Sequence, residues 1–310
     1  MGCFLRITGF WYIVDQSYFY QNQNNLLMHR KHTLSLLAFL LIFVYSCQTK
    51  KDTVDLSMKW VKDQPYSYNN IADIATEMNI MGSKQSIEVK TSMYNTLKLL
   101  QTNGKEHTVQ FTYDSIRNTS SVLNNNPEAT NAENEMSFME GKSVTVLLRE
   151  GKIVQVDHAD SLFAPLQDSL QKKIVSELFS ADNMNGSFAM YFNFYPGKPV
   201  SVGDQWTSKV NMKVSSLKLS MKFNYTLQSV KDGLAEIAFT ATSDDQGKME
   251  LNGVEIPVTF KGNQSGTYLV KLDDGTLKNA NSVCEFDMTI NMAGMELPMT
   301  MKVKNEVKKL

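Results

Sequence analysis

The chain has 310 residues, 42% of them hydrophobic, and its 31 basic and 32 acidic side chains leave a formal net charge of −1. That is ample material for a packed core and argues against a disordered chain, and the balanced charge gives no electrostatic basis for binding nucleic acid. Three cysteines, Cys3, Cys47 and Cys284, are too few and too scattered for a disulfide framework.

Residues 1–27 are aromatic and rich in Gln and Asn, unlike a leader, and read as an upstream extension from a mis-called start. Met1-Gly2-Cys3 does not make a myristoylation signal, because Arg6 stands where the acceptor pattern wants Ser or Thr. Residues 28–46 then have the parts of an export signal. His29, Arg30, Lys31 and His32 form a basic start, and Leu34 to Val44 form an apolar run of signal length, short of the roughly 20 residues that span a bilayer. Val44-Tyr45-Ser46-Cys47 resembles the lipobox of bacterial lipoproteins, although Tyr45 replaces the small residue favoured there. The resemblance implies lipidation and cleavage at Cys47, a membrane partner reached through that anchor, and a polar tether over 47–59. Gln48 after the cysteine, rather than Asp, implies an outer-membrane address. With Cys3 discarded and Cys47 lipidated, Cys284 remains alone and no disulfide forms.

From about Tyr66 the dominant pattern is period-two alternation, the signature of half-buried strands. It is clearest at Leu217, Leu219, Met221, Phe223, Tyr225 and Leu227, interleaved with polar residues, and recurs through Ile87 to Met93, Phe286 to Met292 and Met299 to Val303. Hairpin turns are expected at Gly82, Asn103-Gly104, Glu150-Gly151, Asp232-Gly233, Asn252-Gly253, Asp274-Gly275 and Gly294. Residues 118–134, with Asn124-Asn125-Asn126-Pro127, read as a surface loop.

One stretch changes period. Leu162, Leu166, Leu170, Ile174 and Leu178 align on one face of a helix over 160–180, with Asp160 available as N-cap, Pro165 in the first turn and Gly186 near the exit. Such a face must be covered, and the sheet offers the surface. After it, Phe188, Met190, Tyr191, Phe192, Phe194 and Tyr195 crowd into an apolar cluster expected to form a rim or lid. The helix separates two halves, 60–157 and 187–310, that share weak similarity: Tyr94 to Tyr113 resembles Tyr225 to Ala241, and Gly141 to Gly151 resembles Gly266 to Gly275.

The fold class expected is therefore mainly β: a large curved antiparallel sheet or half-barrel of roughly a dozen strands, with one central amphipathic helix as plug or lid, in a single domain over 60–310.

Chemistry-bearing groups are sparse. Downstream of Cys47 there are two histidines, His107 on a strand and His158 in Asp157-His158-Ala159-Asp160-Ser161, where the carboxylate and hydroxyl are better used in capping. No His or Cys pair has metal-ligand spacing, and Asp244-Asp245 and Asp273-Asp274 read as turn residues. No cofactor and no catalytic residue is expected. Asp-Ser/Thr-aliphatic triplets at Asp52, Asp114, Asp160 and Asp168 resemble an O-glycosylation acceptor. The unusual residue is methionine: of eighteen, all but Met1 and Met28 lie downstream of Cys47, and a methionine-rich face re-packs around varied apolar partners.

Pro199-Val200-Ser201-Val202-Gly203-Asp204-Gln205-Trp206, followed by a Met-rich strand, resembles a family of uncharacterised Gram-negative lipoproteins with a Pro-Val-x-Val-Gly-Asp-x-Trp element. The likeness extends through Gly266-Thr267-Tyr268 to Gly294-Met295-Glu296-Leu297-Pro298. It implies an exported envelope location and transfers no active residue. The functional expectation is a lipid-anchored, non-enzymatic module, similar to the half-barrels of periplasmic lipoprotein carriers, with an apolar ligand such as a lipid or acyl chain. Its ligand face would be Leu162, Leu166, Leu170, Ile174, Leu178, Phe188, Met190, Phe192, Met221 and Phe223. The alternative is an envelope interaction module with a closed core and no ligand.

Overall fold

The computed structural model describes residues 52–310 except 81, 123–135, 165, 167–175, 177–178, 215–216, 252–253 and 293. The segment expected as an export signal, Cys47, Leu170, Ile174 and Leu178 therefore lie outside the described residues. From Thr53 to Leu310 the chain forms one compact unit with its own core.

The alternating segments become eleven strands: β1 (Pro65–Ile80), β2 (Ser83–Asn103), β3 (Glu106–Val122), β4 (Lys142–Arg149), β5 (Lys152–Asp157), β6 (Gln205–Val214), β7 (Leu217–Lys231), β8 (Leu234–Leu251), β9 (Val254–Lys271), β10 (Leu277–Met292) and β11 (Met295–Lys309). They make one antiparallel sheet in the order β5-β4-β3-β2-β1-β11-β10-β9-β8-β7-β6. In space this is a simple meander whose first and last strands pair in the middle, Tyr68 opposite Lys309 and Met78 opposite Met299. Its two outer strands, β5 and β6, are consecutive in sequence and do not pair, so the sheet is unclosed and residues 158–204 must cross from one outer strand to the other.

The turns form where Gly supplies the required backbone. Glu150-Gly151 and Asp232-Gly233 have positive φ at both residues (51° and 78°; 51° and 74°), the arrangement that matches strand twist in two-residue hairpins. Register irregularities leave Leu100, Val154, Gln228 and Lys278 without a cross-strand partner near one end of the sheet, where such bulges bend strands and add twist. Of the loop expected over 118–134, residues 118–122 belong instead to β3, with Asn118 opposite Thr91, and the rest lies outside the described residues.

One face of the sheet is charged, with exposed cross-strand pairs such as Lys84–Glu77 at 2.9 Å and Lys302–Glu285 at 2.6 Å. These favour solubility and register more than stability. The other, inner face carries the core: Tyr66 and Tyr68 on β1, Leu97 and Leu99 on β2, Phe111 on β3, Tyr225 and Leu227 on β7, Ile237 on β8 and Tyr268 on β9, all buried. At about 1.5–3 kcal/mol for each large apolar side chain fully buried, this face supplies the folding drive without a disulfide. Towards the other end of the strands the inner face is only half-buried, as at Ile74, Val89, Met299 and Met301.

Of the helix expected over 160–180, Asp160–Phe163 and Ser176 are helical and Leu166 is not, and most of the remainder lies outside the described residues, so one central helix is not established. Described helices are short: α1 (Asp160–Phe163), α2 (Ala181–Ser187) and α3 (Ala189–Phe192), with a 3-10 turn at Ser137–Met139. Asp160 is the first residue of α1 and not its cap; the N-cap is Ala159, with no side-chain capping bond. Ser161 Oγ instead donates to the His158 carbonyl at 2.7 Å, and Lys142 Nζ approaches the Leu162 carbonyl at 3.3 Å, satisfying the end of the turn. Gly186, expected near a helix exit, lies inside α2, because a Cβ there would come within 2.3 Å of Met212 Cγ.

The segment expected as a tether joins the fold from Val54 on. Val54 pairs with Val200, Leu56 is fully buried, and Trp60 packs edge-on against Tyr66 at 5.5 Å between ring centres.

Candidate functional site

The site is built by the crossover. Ser180 caps α2 by accepting from the Asn183 N–H, and the Phe188 N–H closes the helix onto the Met184 carbonyl. Two asparagines on α2 fasten it to both outer strands. Asn185 Oδ1 accepts from the Ile153 N–H of β5 at 2.7 Å while its Nδ2 donates to the Ile153 carbonyl, and Asn183 Oδ1 accepts from the Lys213 N–H of β6 at 2.7 Å. A seven-residue helix thus occupies the break in the sheet, and β5 and β6 face each other across it.

Beyond α2 the aromatic run, expected as a rim or lid, turns its rings inward. Phe188 packs on Phe111 at 4.4 Å, Tyr191 on Tyr68 at 5.0 Å and Phe194 on Tyr268 at 4.8 Å, all buried. The Trp206 indole N–H donates to the Phe194 carbonyl at 2.9 Å, so the Val-Gly-Asp-x-Trp element anchors the end of the crossover to β6. Asn193 completes the attachment by donating to Ser208 Oγ at 2.6 Å and Tyr225 Oη at 3.1 Å.

Between this crossover and strands β1, β2, β3 and β11 lies a cavity of about 310 Å³, at the lower end of the ~300–1,000 Å³ typical of small-molecule sites. Five methionines line it: Met93 on β2, Met136 and Met139 at the two ends of the 3-10 turn, and Met184 and Met190 on the crossover. Phe111, Tyr113, Ile116, Phe179 and Phe188 add further apolar wall. Tyr113 and Ile116 both face inward because Asp114 between them is a bulge residue, which re-phases the alternation; Glu140 Oε1 takes up the Ile116 N–H at 2.8 Å.

The polar part of the cavity is small, and its buried centre is uncharged. Tyr191 Oη lies 2.8 Å from Asn70 Oδ1 and 3.0 Å from Asn95 Oδ1, and Asn70 Nδ2 donates to Asn95 Oδ1. Asn95 is completely buried, and its Nδ2 has no hydrogen-bond partner among the described residues. Burial pushes the Tyr191 phenol well above its ordinary pKa, although its bonds to Asn70 and Asn95 act the other way, so it stays a neutral hydroxyl. Glu306 stands on the lining and pairs with Lys308 at 2.6 Å.

Of the residues expected to face a ligand, the structure brings Phe188 and Met190 to this cavity. Leu162, Phe192, Met221 and Phe223 are buried elsewhere in the core, and Leu166 packs half-buried against it. Phe192 borders a second space of about 120 Å³ under α2, at the seam between Ile153 on β5 and Val210 on β6. Asn70, Asn95 and Tyr191 were not anticipated as a group. The signal was a polar residue on an apolar row: Asn95 interrupts Met93, Leu97 and Leu99, and Asn70 interrupts Tyr66, Tyr68 and Ile74.

His107 and His158 remain on separate elements. His107 lies on β3, 3.2 Å from Thr102 Oγ1, with burial lowering its pKa, and His158 takes a left-handed backbone (φ 66°) at the start of α1. Among the described residues no group of three or more His, Cys, Asp or Glu is placed to hold a metal ion. Asp274 is engaged in its own turn, accepting from the Thr276 N–H at 2.9 Å and pairing with Lys309 at 3.3 Å.

Residues 104–277, more than half of the chain, match the sequence profile of a family of unknown function, DUF6263. No curated protein matches the chain by sequence. Among solved structures, lipovitellin, studied for its lipid–protein interactions, is 8% identical with a TM-score of 0.42 over 81% of this chain, which spans 25% of the lipovitellin chain. OccK5 (OpdH) of Pseudomonas aeruginosa is 8% identical with a TM-score of 0.25, covering 82% of this chain and all of the OccK5 chain. OmpF of Salmonella typhi, in complex with daunomycin, gives 8% identity and a TM-score of 0.20, covering 80% and 98% of the two chains. At these scores the likenesses carry no functional argument.

Proposed function

The chain belongs to DUF6263, a family of unknown function, so membership brings no activity, and we propose that it is a lipid-anchored, non-enzymatic envelope protein that holds an apolar ligand inside a half-barrel. The observation that carries the ligand reading is the methionine-lined cavity of about 310 Å³ between the crossover and strands β1, β2, β3 and β11. Methionine side chains adapt their shape at low cost, which suits an interior that fills and empties. The anchor reading rests on the signal-like 28–46 segment and Cys47, and on the way the chain from Val54 is already tied to the fold. A lipid at Cys47 would then hold the domain within a few residues of the membrane.

The rival reading, a closed interaction module, draws on the fully buried Phe194 and its neighbours, which already fill much of the inner face. Native mass spectrometry separates the two. The chain from Gln48 onward contains the whole compact unit; after gentle purification it should carry a small apolar molecule at one per chain, or take one up on addition. A ligand-free protein that takes up no apolar probe supports the closed module. For the anchor, mass spectrometry of the exported full chain should find a diacylglyceryl-modified Cys47, and Cys47→Ala should release the protein from membranes.

A further inference from the structure

We propose that the cavity under α2 and α3 selects a single-chain amphiphile whose head group is uncharged and carries a hydrogen-bond acceptor, as a monoacylglycerol ester does, over a fatty-acid anion of the same length. This rests on the apolar-ligand reading above and specifies the ligand of that site.

Three features of the lining lead there. The first is charge. Among the described lining residues Glu306 is the one that is charged, and it is acidic; none of them is Lys or Arg. A carboxylate taken into this space would lose its hydration and gain no counter-charge, a cost of several kcal/mol that normally forces such a group to stay neutral. The second is the kind of polar group present. Asn70 and Tyr191 line the cavity with an amide and a neutral phenol, and of the two Asn70 Nδ2 hydrogens one goes to Asn95 Oδ1 while the other reaches only the Met93 carbonyl, at 3.4 Å. An ester or amide carbonyl beside Asn70 offers that second hydrogen a shorter bond. The third is size. At roughly 30 Å³ for each water-sized group, the volume has room for about ten such groups, enough for one medium chain and too little for a two-chain lipid.

The test uses the chain from Gln48 onward with N-phenyl-1-naphthylamine as an apolar fluorescent reporter. 1-Monodecanoylglycerol and decanoate compete for it at about pH 8, where the acid is fully ionised. The glycerol ester should displace the dye at a concentration at least about tenfold lower than decanoate, the margin expected when an unpaired charge must be desolvated. Asn70→Leu, at a half-buried position, should shrink the ester's preference about fivefold while dye affinity is retained, since a single neutral hydrogen bond is worth about 1 kcal/mol. Decanoate competing as well as the ester, or a preference unchanged in Asn70→Leu, overturns the head-group assignment while leaving an apolar site in place. A protein that binds neither dye nor ester overturns both this proposal and the reading beneath it.

Discussion

The side chain of Asn185 imitates a neighbouring β-strand for Ile153: its oxygen accepts from the Ile153 N–H at 2.7 Å and its nitrogen donates to the Ile153 carbonyl. Exposed sheet edges are templates for unwanted pairing, and a short helix with amide side chains is an economical cover for one. Asn183 does half of the same for Lys213 on the opposite edge. Replacing Asn185 by Leu removes both bonds and leaves a backbone donor and acceptor unpaired, a loss of about 1–3 kcal/mol. Urea denaturation should show that loss, and hydrogen exchange should accelerate at the Ile153 amide while the Val109 amide, inside the sheet, keeps its protection.

Gly275 is where the segment before β1 crosses the sheet end. Its backbone has φ 68°, and a Cβ would stand 2.0 Å from the Ser57 carbonyl oxygen. Gly275→Ala should therefore detach residues 54–60 and cost well above the ~1–2 kcal/mol of a left-handed alanine alone. Gly104→Ala is the control, with φ 59° and nothing within 4 Å of the added methyl; it should show only that smaller backbone cost. Limited proteolysis near Ser57 should rise in the first variant and stay unchanged in the second.

Much of this sheet was legible because each strand advertises itself twice, by alternation and by the glycine turn that ends it. Asp232-Gly233 between Leu227 and Ile237 needs no tertiary information to be placed. What local pattern could not show is connectivity: that β1 pairs with β11, and that β5 and β6 stand at opposite edges, depends on contacts between residues far apart in sequence. The crossover is hard to place for a related reason: an apolar cluster such as Phe188 to Tyr195 does not say in sequence which sheet face it will meet, and the packing against Met212 that selects Gly186 inside α2 is tertiary. The cavity's polar trio was visible only as two asparagines on apolar rows, without Tyr191, which comes from another element.

Tyr191 ties the crossover to β1 and β2. Tyr191→Phe deletes the hydroxyl next to Asn70 and Asn95 in a fully buried setting and should destabilise the protein by about 1–2 kcal/mol. Tyr94→Phe on β2 removes a hydroxyl whose contact with Asn69 is long, at 3.5 Å, and exposed; its effect should be within about 0.5 kcal/mol of zero. Paired thermal melts of the two variants test this difference.

Stability should fall on acidification partly through Asp274. Burial acts to raise its pKa, but hydrogen bonds from Thr276 and the Lys309 ammonium outweigh this and hold it below the usual carboxylate value. A depressed carboxylate contributes its stability in full above the unfolded pKa of about 3.9 and loses it as pH drops towards the folded value. Asp55, lowered by the Ser57 N–H and hydroxyl, acts in the same direction. The urea midpoint should thus decline below about pH 4, and Asp274→Asn should be less stable at neutral pH with a shallower acid decline.

In the proposed function a ligand sits in the methionine-lined space. With ¹³C-labelled methionine methyl groups, titration of the chain from Gln48 onward with 1-monodecanoylglycerol should shift the signals of Met93, Met136, Met139, Met184 and Met190, which line the cavity. Met249 and Met288, packed in the separate small cluster around Val258 and Phe260, should keep theirs. Shifts confined to that second group, or none at all at saturating ligand, would contradict it.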